Sequence, residues 1–249
     1  MTDGTVDLLA IGAHPDDAEL LCGGTLARMS RAGYRTGILD LTRGETGTRG
    51  SAELRRREAE KAAQVLGVAV RANAGLPDAR LLNNHDSRVA VVRALRQLRP
   101  RTVILPGAGG RHPDHRQASH LARDACFLAG LKNFPEKGDG DGVPAGACRP
   151  RKVLYALSFL EHAEKPTFVV PIPGDCFRLK LQAVSCYASQ FSGVVQAGDI
   201  FPDGRPLMDR IETANRHYGS LVRAEFGEPF TTEETMAADD VVALPVDSF

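Results

Sequence analysis

Short apolar runs alternate with helical segments along the first half of the chain, and this alternation limits the possible folds more than any other feature. Strands are predicted over residues 6–13, 35–41, 68–73 and 102–106, and helices over residues 19–32, 51–67, 87–98 and 117–128. Unbroken apolar runs are typical of strands that are buried on both faces. Strands that alternate with helices build a mostly parallel sheet covered by helices on both sides. The sequence therefore predicts an α/β fold of this kind.

The second half of the chain carries further elements of the same kinds. Strands are predicted over residues 152–157 and 167–170, and helices over residues 177–189 and 209–225. Residues 136–150 are rich in Gly, Pro and Asp, which predicts a surface loop or, alternatively, a lid or a subunit contact. The tail from Thr231 onward is predicted to be an edge strand or a docked arm. We expect a single domain over residues 1–249, with its core at about residues 5–130.

Composition excludes several classes of partner and location. Lys and Arg total 31 and Asp and Glu total 31, so no global charge attracts nucleic acid or an anionic membrane. No apolar run is long enough to span a bilayer, and residues 1–4 lack the features of a signal peptide. Five cysteines without a Cys-x-x-Cys pair fit reduced, buried thiols. We therefore expect a cytoplasmic protein.

A histidine and two aspartates, His14, Asp16 and Asp17, directly follow the first predicted strand. Ligands of open α/β sheets bind beyond the carboxyl ends of the strands, and imidazole and carboxylate are common zinc ligands. One aspartate could bind the metal while the other takes a proton from metal-bound water. Alternatively, either aspartate caps the following helix. The acidic turn also argues against a nicotinamide or flavin cofactor. The phosphates of such cofactors bind the backbone amides of a glycine-rich turn, and two carboxylates would repel them.

A second cluster repeats this chemistry after the fourth predicted strand, where His112, Asp114 and His115 lie within four residues. In a doubly wound sheet of order 3-2-1-4-5, the first and fourth strands are neighbours, and a crevice opens between their ends. Both clusters would then face one crevice. A catalytic zinc takes three protein ligands and keeps one position open. Two ligands from the first cluster and one histidine from the second would satisfy it, which leaves one histidine for proton transfer or oxyanion stabilisation.

The segments AHPDD at 13–17 and HPDH at 112–115 resemble the motifs of a known family, the LmbE-like or PIG-L zinc-dependent N-acetylglucosamine deacetylases. Within it, the chain is most similar to the deacetylases of bacillithiol biosynthesis. Further similarity lies in five segments: residues 41–42, 47–55, 76–78, 187–191 and 218–226. The resemblance covers nearly the whole chain, except residues 136–150.

The resemblance implies a division of labour among the clustered residues. It implies that His14, Asp17 and His115 bind zinc and that Asp16 is the general base that activates the zinc-bound water. This assignment makes the chain a hydrolase of a linear amide C–N bond.

The resemblance also implies roles for three further residues. His112 would stabilise the tetrahedral intermediate or act as an acid, and Asp114 would orient His112. Arg55 matches an arginine near the active site that would contact the substrate. The family likeness further implies the LmbE-like version of the Rossmann-like core and a homo-oligomer, frequently a hexamer in this branch.

Three other residues are candidates for substrate contact. Asp78 follows the third predicted strand and could reach the crevice or simply form a turn. Arg111 lies next to His112 and could bind a substrate carboxylate such as that of malate. Tyr187 could line the sugar pocket or pack between subunits.

The expected reaction is removal of the acetyl group from N-acetylglucosaminyl malate, a small-molecule aminosugar conjugate. Alternatives are another acetylated aminosugar, a mycothiol-like precursor, an amide of a thiol conjugate, or the substrate of a metal-dependent esterase or phosphatase. Another divalent metal could replace zinc. A non-enzymatic metal scaffold is the remaining alternative, but Asp16 argues against it because structural zinc sites are closed and need no base.

Overall fold

Seven strands of the chain form one mixed sheet in the computed structural model, which describes residues 5–109, 111–134, 146–157, 165–191 and 206–245. The strands are β1 (Leu8–Gly12), β2 (Thr36–Asp40), β3 (Val70–Asn73), β4 (Thr102–Pro106), β5 (Lys152–Ala156), β6 (Phe168–Ile172) and β7 (Phe226–Thr231). Their order is β3-β2-β1-β4-β5-β7-β6. The strands from β3 to β5 are parallel, whereas β7 runs antiparallel to both of its neighbours.

Helices cover both faces of this sheet. They are α1 (Asp17–Arg31), α2 (Ala52–Leu66), α3 (His85–Leu98), α4 (Pro113–Leu128), α5 (Gly174–Ser185), α6 (Ala188–Phe191) and α7 (Leu207–Ser220). The predicted cap of α2 is confirmed, because the Ser51 side chain accepts a hydrogen bond from the Leu54 amide. The same helix ends at Gly67, whose positive φ of 69° suits glycine. None of the described helices is both long and apolar enough to cross a membrane.

Two apolar cores lie on opposite faces of the sheet because strand side chains alternate in direction. Leu8 and Ala10 of β1 face the core formed with α1, α2, α5 and α7. Leu9 and Ile11 face the other core, formed with α3 and α4. All five residues of β1 are buried, as expected for a strand covered on both faces. The predicted fold class and the strand order 3-2-1-4-5 are confirmed.

The two helices that begin at the polar clusters start earlier than predicted. Helix α1 begins at Asp17 rather than residue 19, and α4 begins at Pro113 rather than residue 117. Proline fits the first turn of a helix because the missing N–H has no intrahelical partner there. The two clusters therefore lie at the N-termini of α1 and α4 and not in separate loops. The helical hydrogen bonds hold the backbone of these residues in place.

The prediction for the C-terminal third was partly wrong. The helix expected over 177–189 is divided into α5 and α6, and the helix expected to reach 225 ends at Ser220. Strand β7 was missed because it contains Gly227, Glu228 and Pro229, which are residue types that strands disfavour. The tail after Thr231 forms no strand in its described part, and β7 lies inside the sheet rather than at its edge. The loop predicted over 136–150 falls mostly outside the described residues.

A buried ion pair explains the glutamate in β7. Helix α1 has a kink at Cys22, where φ is −143°, and the kink frees the amides of Gly24 and Thr25. Both amides donate to the Glu228 carboxylate, at 2.9 and 2.7 Å. Lys180 of α5 lies 2.6 Å from the same carboxylate, and both side chains are 1% exposed. Glu228 therefore joins α1, α5 and β7 through one charge.

Replacing Lys180 with methionine should strongly destabilise the protein, because it leaves the Glu228 carboxylate buried without its cation. We expect Lys180→Met to lower the free energy of unfolding by about 3–5 kcal/mol in urea titrations. The control is Arg57→Met, which breaks an exposed pair with Glu53 and should cost less than about 1 kcal/mol. Equal effects of the two substitutions would contradict this view of the pair.

Candidate active site

The first cluster folds tightly beneath the end of β1. A Cβ atom on Gly12 would lie 2.8 Å from the Cβ atom of Asp17, so only glycine leaves room for this turn. Asp16 has a φ of 122°, a conformation that costs a non-glycine residue about 1–3 kcal/mol. The Asp16 side chain makes no helix-capping hydrogen bond. A helix cap is therefore not the role of Asp16, and strain of this kind is common at functional sites.

The second cluster meets the first one because β4 pairs with β1. The ring of His14 lies 4.8 Å from the ring of His112 and 5.4 Å from that of His115, measured between centroids. The centroids of His112 and His115 are 5.1 Å apart. The structure thus brings together three histidines from turns nearly a hundred residues apart. They lie at the carboxyl ends of the parallel strands, where α/β proteins bind ligands.

The two nitrogens of His14 have different surroundings. Its Nε2 atom lies 3.0 Å from Oδ1 of Asp78 and 3.5 Å from Oδ2 of Asp114. Its Nδ1 atom lies 3.7 Å from Oδ2 of Asp17. Histidines that bind metals commonly donate their other ring N–H to a carboxylate. This arrangement leaves Nδ1 as the atom of His14 that is suited to bind an ion.

His14, Asp17 and His115 fit a zinc ion as ligands. The Nε2 atom of His115 lies 3.2 Å from Oδ1 of Asp17, and Nδ1 of His14 lies 3.7 Å from the other Asp17 oxygen. Four-coordinate zinc holds nitrogen and oxygen at about 2.0–2.2 Å, which separates its ligand atoms by roughly 3.3–3.6 Å. The two distances to Asp17 are therefore close to this separation, and they involve different oxygens of its carboxylate.

His112 also lies within ligand distance of His14 and His115, but its hydrogen bonding disfavours a ligand role. Its Nδ1 atom accepts a hydrogen bond from the Asp114 amide at 3.1 Å. A neutral imidazole that accepts at Nδ1 carries its proton on Nε2. The free edge of His112 therefore presents an N–H donor rather than a lone pair, as oxyanion stabilisation requires.

The side chain of Asp114 does not orient His112, contrary to the prediction. Its carboxylate accepts hydrogen bonds from the amides of Ala79 and Leu81, at 2.8 and 3.3 Å, and approaches His14. The hydrogen bond to His112 comes from the main chain of Asp114 instead. The reason is geometric, because position 114 lies two residues into α4, where its amide points back at the capping residue.

Carboxylates concentrate negative charge around His14. Burial by itself lowers the pKa of His14, but hydrogen bonds to Asp114 and Asp78 and the charge of Asp17 outweigh burial and raise this pKa to about 10. Burial raises the pKa of Asp17, yet His115 and His14 hold it well below its usual value. The pocket therefore favours a positive charge among its carboxylates, as expected of a cation site.

Asp16 differs from the other aspartates of the site. Burial, opposed by the charge of Arg55 and reinforced by that of Asp17, raises the pKa of Asp16 to about 7. Nη2 of Arg55 lies 3.6 Å from Oδ2 of Asp16. A carboxylate with a pKa near neutrality is suited to accept and return a proton.

Arg55 lies beside Asp16 with unused hydrogen-bonding capacity. The residue is 6% exposed, and its Nε and Nη1 atoms have no hydrogen-bond partner among the described residues. Buried donors without partners are costly. Arg55 thus has donors available for an oxygen-bearing group, and its contact with the substrate stays a prediction.

The structure places Tyr187 away from any substrate pocket, so its predicted contact is wrong. Tyr187 is 0% exposed, and its hydroxyl donates to Glu19 at 2.9 Å. Glu19 also accepts from Arg71, which in turn donates to both oxygens of Asp40. This network joins α1, β2 and β3 beneath the site. The sequence offered no signal for it, because its members are separated by many residues and follow no motif.

The other two predicted substrate contacts have different outcomes. Asp78 is 4% exposed and binds His14 and Thr46, so it supports a histidine of the site and is not a substrate contact. Arg111 is exposed and precedes His112 in the chain, so it remains a candidate. Thr46 was not predicted, although it lies in a glycine-rich loop after a strand, where functional residues often occur.

The sequence and the fold are similar to those of known proteins. The family profile described as PIG-L, GlcNAc-PI de-N-acetylase, matches residues 9–126. Diacetylchitobiose deacetylase from Thermococcus kodakarensis is 32% identical over 194 residues, which span 74% of this chain and 70% of that protein. The chain belongs to the PIG-L family.

Two further relatives extend the similarity over almost the full length. A 1D-myo-inositol 2-acetamido-2-deoxy-alpha-D-glucopyranoside deacetylase from Rhodococcus jostii is 30% identical over 275 residues, covering 89% of this chain and 93% of that protein. The solved structure of the conserved protein TT1542 from Thermus thermophilus is 36% identical, with a TM-score of 0.80 over 94% of this chain and 98% of that one. The resemblance stated from the motifs is confirmed. As a PIG-L member the chain is a deacetylase, an enzyme that hydrolyses an amide C–N bond.

The different roles expected of His112 and His115 can be tested by their effects on zinc affinity. We expect His115→Asn to weaken zinc binding by more than about 100-fold, because the loss of a ligand exceeds the 10–100-fold effect typical of outer-shell partners. His112→Asn keeps a helix-capping side chain and should change zinc affinity by less than about 10-fold. Competition with a chromogenic chelator measures both constants. Similar losses in the two variants would show that His112 is itself a ligand.

Proposed function

We propose that the chain removes the N-acetyl group of a glucosaminyl conjugate with the help of a zinc ion held by His14, Asp17 and His115. The observation that carries this proposal is the convergence of these three ligands beside Asp16. The two deacetylases from Thermococcus and Rhodococcus have different substrates in their names, but both substrates contain an N-acetylated glucosamine unit. This shared unit supports N-acetylglucosamine as the reacting part of the substrate.

The residues of the site suffice for the proton transfers of amide hydrolysis. A zinc ion would supply a Lewis acid that polarises the amide carbonyl and acidifies water. The oxygen of the attacking water bonds to the acetyl carbon, and Asp16 accepts a proton from this water. The C–N bond then breaks, and the proton on Asp16 passes to the amine nitrogen, which gives a free glucosamine and acetic acid.

His112 acts on the charge that develops during this reaction. The carbonyl oxygen becomes negative in the tetrahedral intermediate, and Nε2–H of His112 can donate to it. Burial and the charges of His14 and His115 lower the pKa of His112, so its imidazole is neutral at pH 7. A neutral donor held by the Asp114 amide needs no reorganisation when the charge appears.

The remaining contacts concern the sugar and its aglycone. The unpartnered nitrogens of Arg55 suit the hydroxyls of the glucosamine ring. Arg111 suits a carboxylate on the aglycone, which favours N-acetylglucosaminyl malate, the substrate expected for bacillithiol biosynthesis, over neutral glycosides. A single domain over residues 1–249, a homo-oligomer and a cytoplasmic location stay predictions that accompany this function.

Asp16→Asn tests the proposed base. Asparagine keeps the shape of the side chain and tolerates positive φ, but it cannot accept the proton. We expect kcat to fall by about 100- to 10,000-fold, with the zinc content unchanged. Release of free amine from N-acetylglucosaminyl malate and zinc quantification measure the two quantities. Substantial residual activity in the zinc-loaded variant would contradict the role of Asp16.

Arg111→Gln tests the anionic aglycone. The KM for N-acetylglucosaminyl malate should rise about 5-fold with little change in kcat, since an exposed charge pair is partly screened. The constants for diacetylchitobiose should not change. Arg151→Gln is the matched control, because Arg151 is an exposed arginine at the opposite end of the parallel strands, just before β5. Equal effects on both substrates would remove malate as the favoured aglycone, and cleavage of aryl esters without amine release would contradict the deacetylase proposal itself.

A further inference from the structure

We propose that Asp78 is a positioning residue that couples the loop of residues 43–50 to the zinc ligand His14, so that zinc binding and ordering of this loop stabilise each other. This inference rests on the proposed ligand set. The loop follows β2 and lies at the same end of the sheet as the site.

The carboxylate of Asp78 is shared between the histidine and the loop. Its Oδ1 atom lies 3.0 Å from Nε2 of His14. Its Oδ2 atom accepts two hydrogen bonds from Thr46, at 2.8 Å from the amide and 2.6 Å from the hydroxyl. The side chain is almost fully buried, so water cannot easily replace these partners.

The contact with Asp78 holds the middle of the loop. It is exposed and contains Gly44 and Gly50, both with positive φ. A further hydrogen bond runs in the opposite direction, from the Asp78 amide to the Glu45 carboxylate of the loop, at 2.9 Å. Three hydrogen bonds thus join the middle of the loop to one residue. Loops that make few apolar contacts are ordered mainly by such bonds.

The loop in turn affects the substrate side of the site. A Cβ atom on Gly44 would lie 3.0 Å from Nη2 of Arg55, so the loop backbone packs directly on this guanidinium. An ion bound at Nδ1 of His14 fixes the ring and strengthens Nε2–H as a donor to Asp78. A fixed Asp78 holds Thr46, and by thermodynamic reciprocity an ordered loop strengthens ion binding by the same factor.

Limited trypsin digestion tests this coupling without an activity assay. Arg43 and Arg49 are exposed cleavage sites in the loop, and Arg223, in the exposed turn after α7, is an internal reference. In the wild type, saturation with zinc should slow cleavage at Arg43 and Arg49 relative to Arg223 by about 5-fold or more, the usual range for coupled sites.

Three variants separate coupling from general support of His14. Asp78→Asn and Thr46→Val should reduce the zinc-dependent protection to less than about 2-fold at saturating zinc. Thr46→Val should also weaken zinc binding about 3-fold, although Thr46 does not touch His14. Asp114→Asn is the matched control, because Asp114 contacts His14 and the amides of residues 79 and 81 but no residue of the loop among its described contacts. It should weaken zinc binding yet retain the protection.

Two outcomes would overturn the inference. The first is zinc-dependent protection of the same size in Thr46→Val, Asp78→Asn and the wild type. The second is a wild type that binds zinc without protecting the loop, which removes the coupling but leaves the proposed function intact. A wild type that binds no zinc would instead refute the ligand set, and the coupling with it.

Discussion

The parallel pairing of β1 with β4 is the constraint on which the site depends. This pairing places the turn after β1 beside the N-terminus of α4, and it does so although the two turns are far apart in sequence. The proposed ligands His14, Asp17 and His115 come from both turns, with Asp16 and His112 beside them. In the proposed function, ion binding and proton transfer are therefore assigned to different side chains. The sheet order is thus the physical origin of the chemistry.

The site is held by carboxylates that do not themselves take part in the reaction. Asp78 accepts a hydrogen bond from the Thr46 amide, and Asp114 accepts one from the Ala79 amide. Both carboxylates contact Nε2 of His14, which leaves Nδ1 for the proposed ion. Away from the site, the buried carboxylate of Glu228 likewise accepts hydrogen bonds from main-chain amides, those freed by the kink in α1. Buried negative charges in this protein are therefore paired with N–H groups and cations, which fixes the helices that carry the reacting side chains.

The sequence predicted the parallel half of the sheet and the convergence of the two clusters, because apolar periodicity and strand order are local or rule-based properties. It did not predict β7, since a buried Glu228 in a strand makes sense only beside Lys180, a partner 48 residues away. It also did not predict that Asp78 supports His14 or that Tyr187 is buried against Glu19. Such contacts depend on side-chain directions that a single sequence does not determine.

The central claim is that one ion is bound by Nδ1 of His14, by Asp17 and by Nε2 of His115. The most direct test is an anomalous difference map from crystals of the zinc-loaded protein, recorded at the zinc absorption edge. We predict one peak at about 2.0–2.2 Å from these three groups, with His112 outside the coordination sphere. Two other groups have ligand atoms within 4.8 Å of one another, namely His14 with Asp78 and Asp114, and His14 with His112 and His115. A zinc peak bound by either group would contradict the claim.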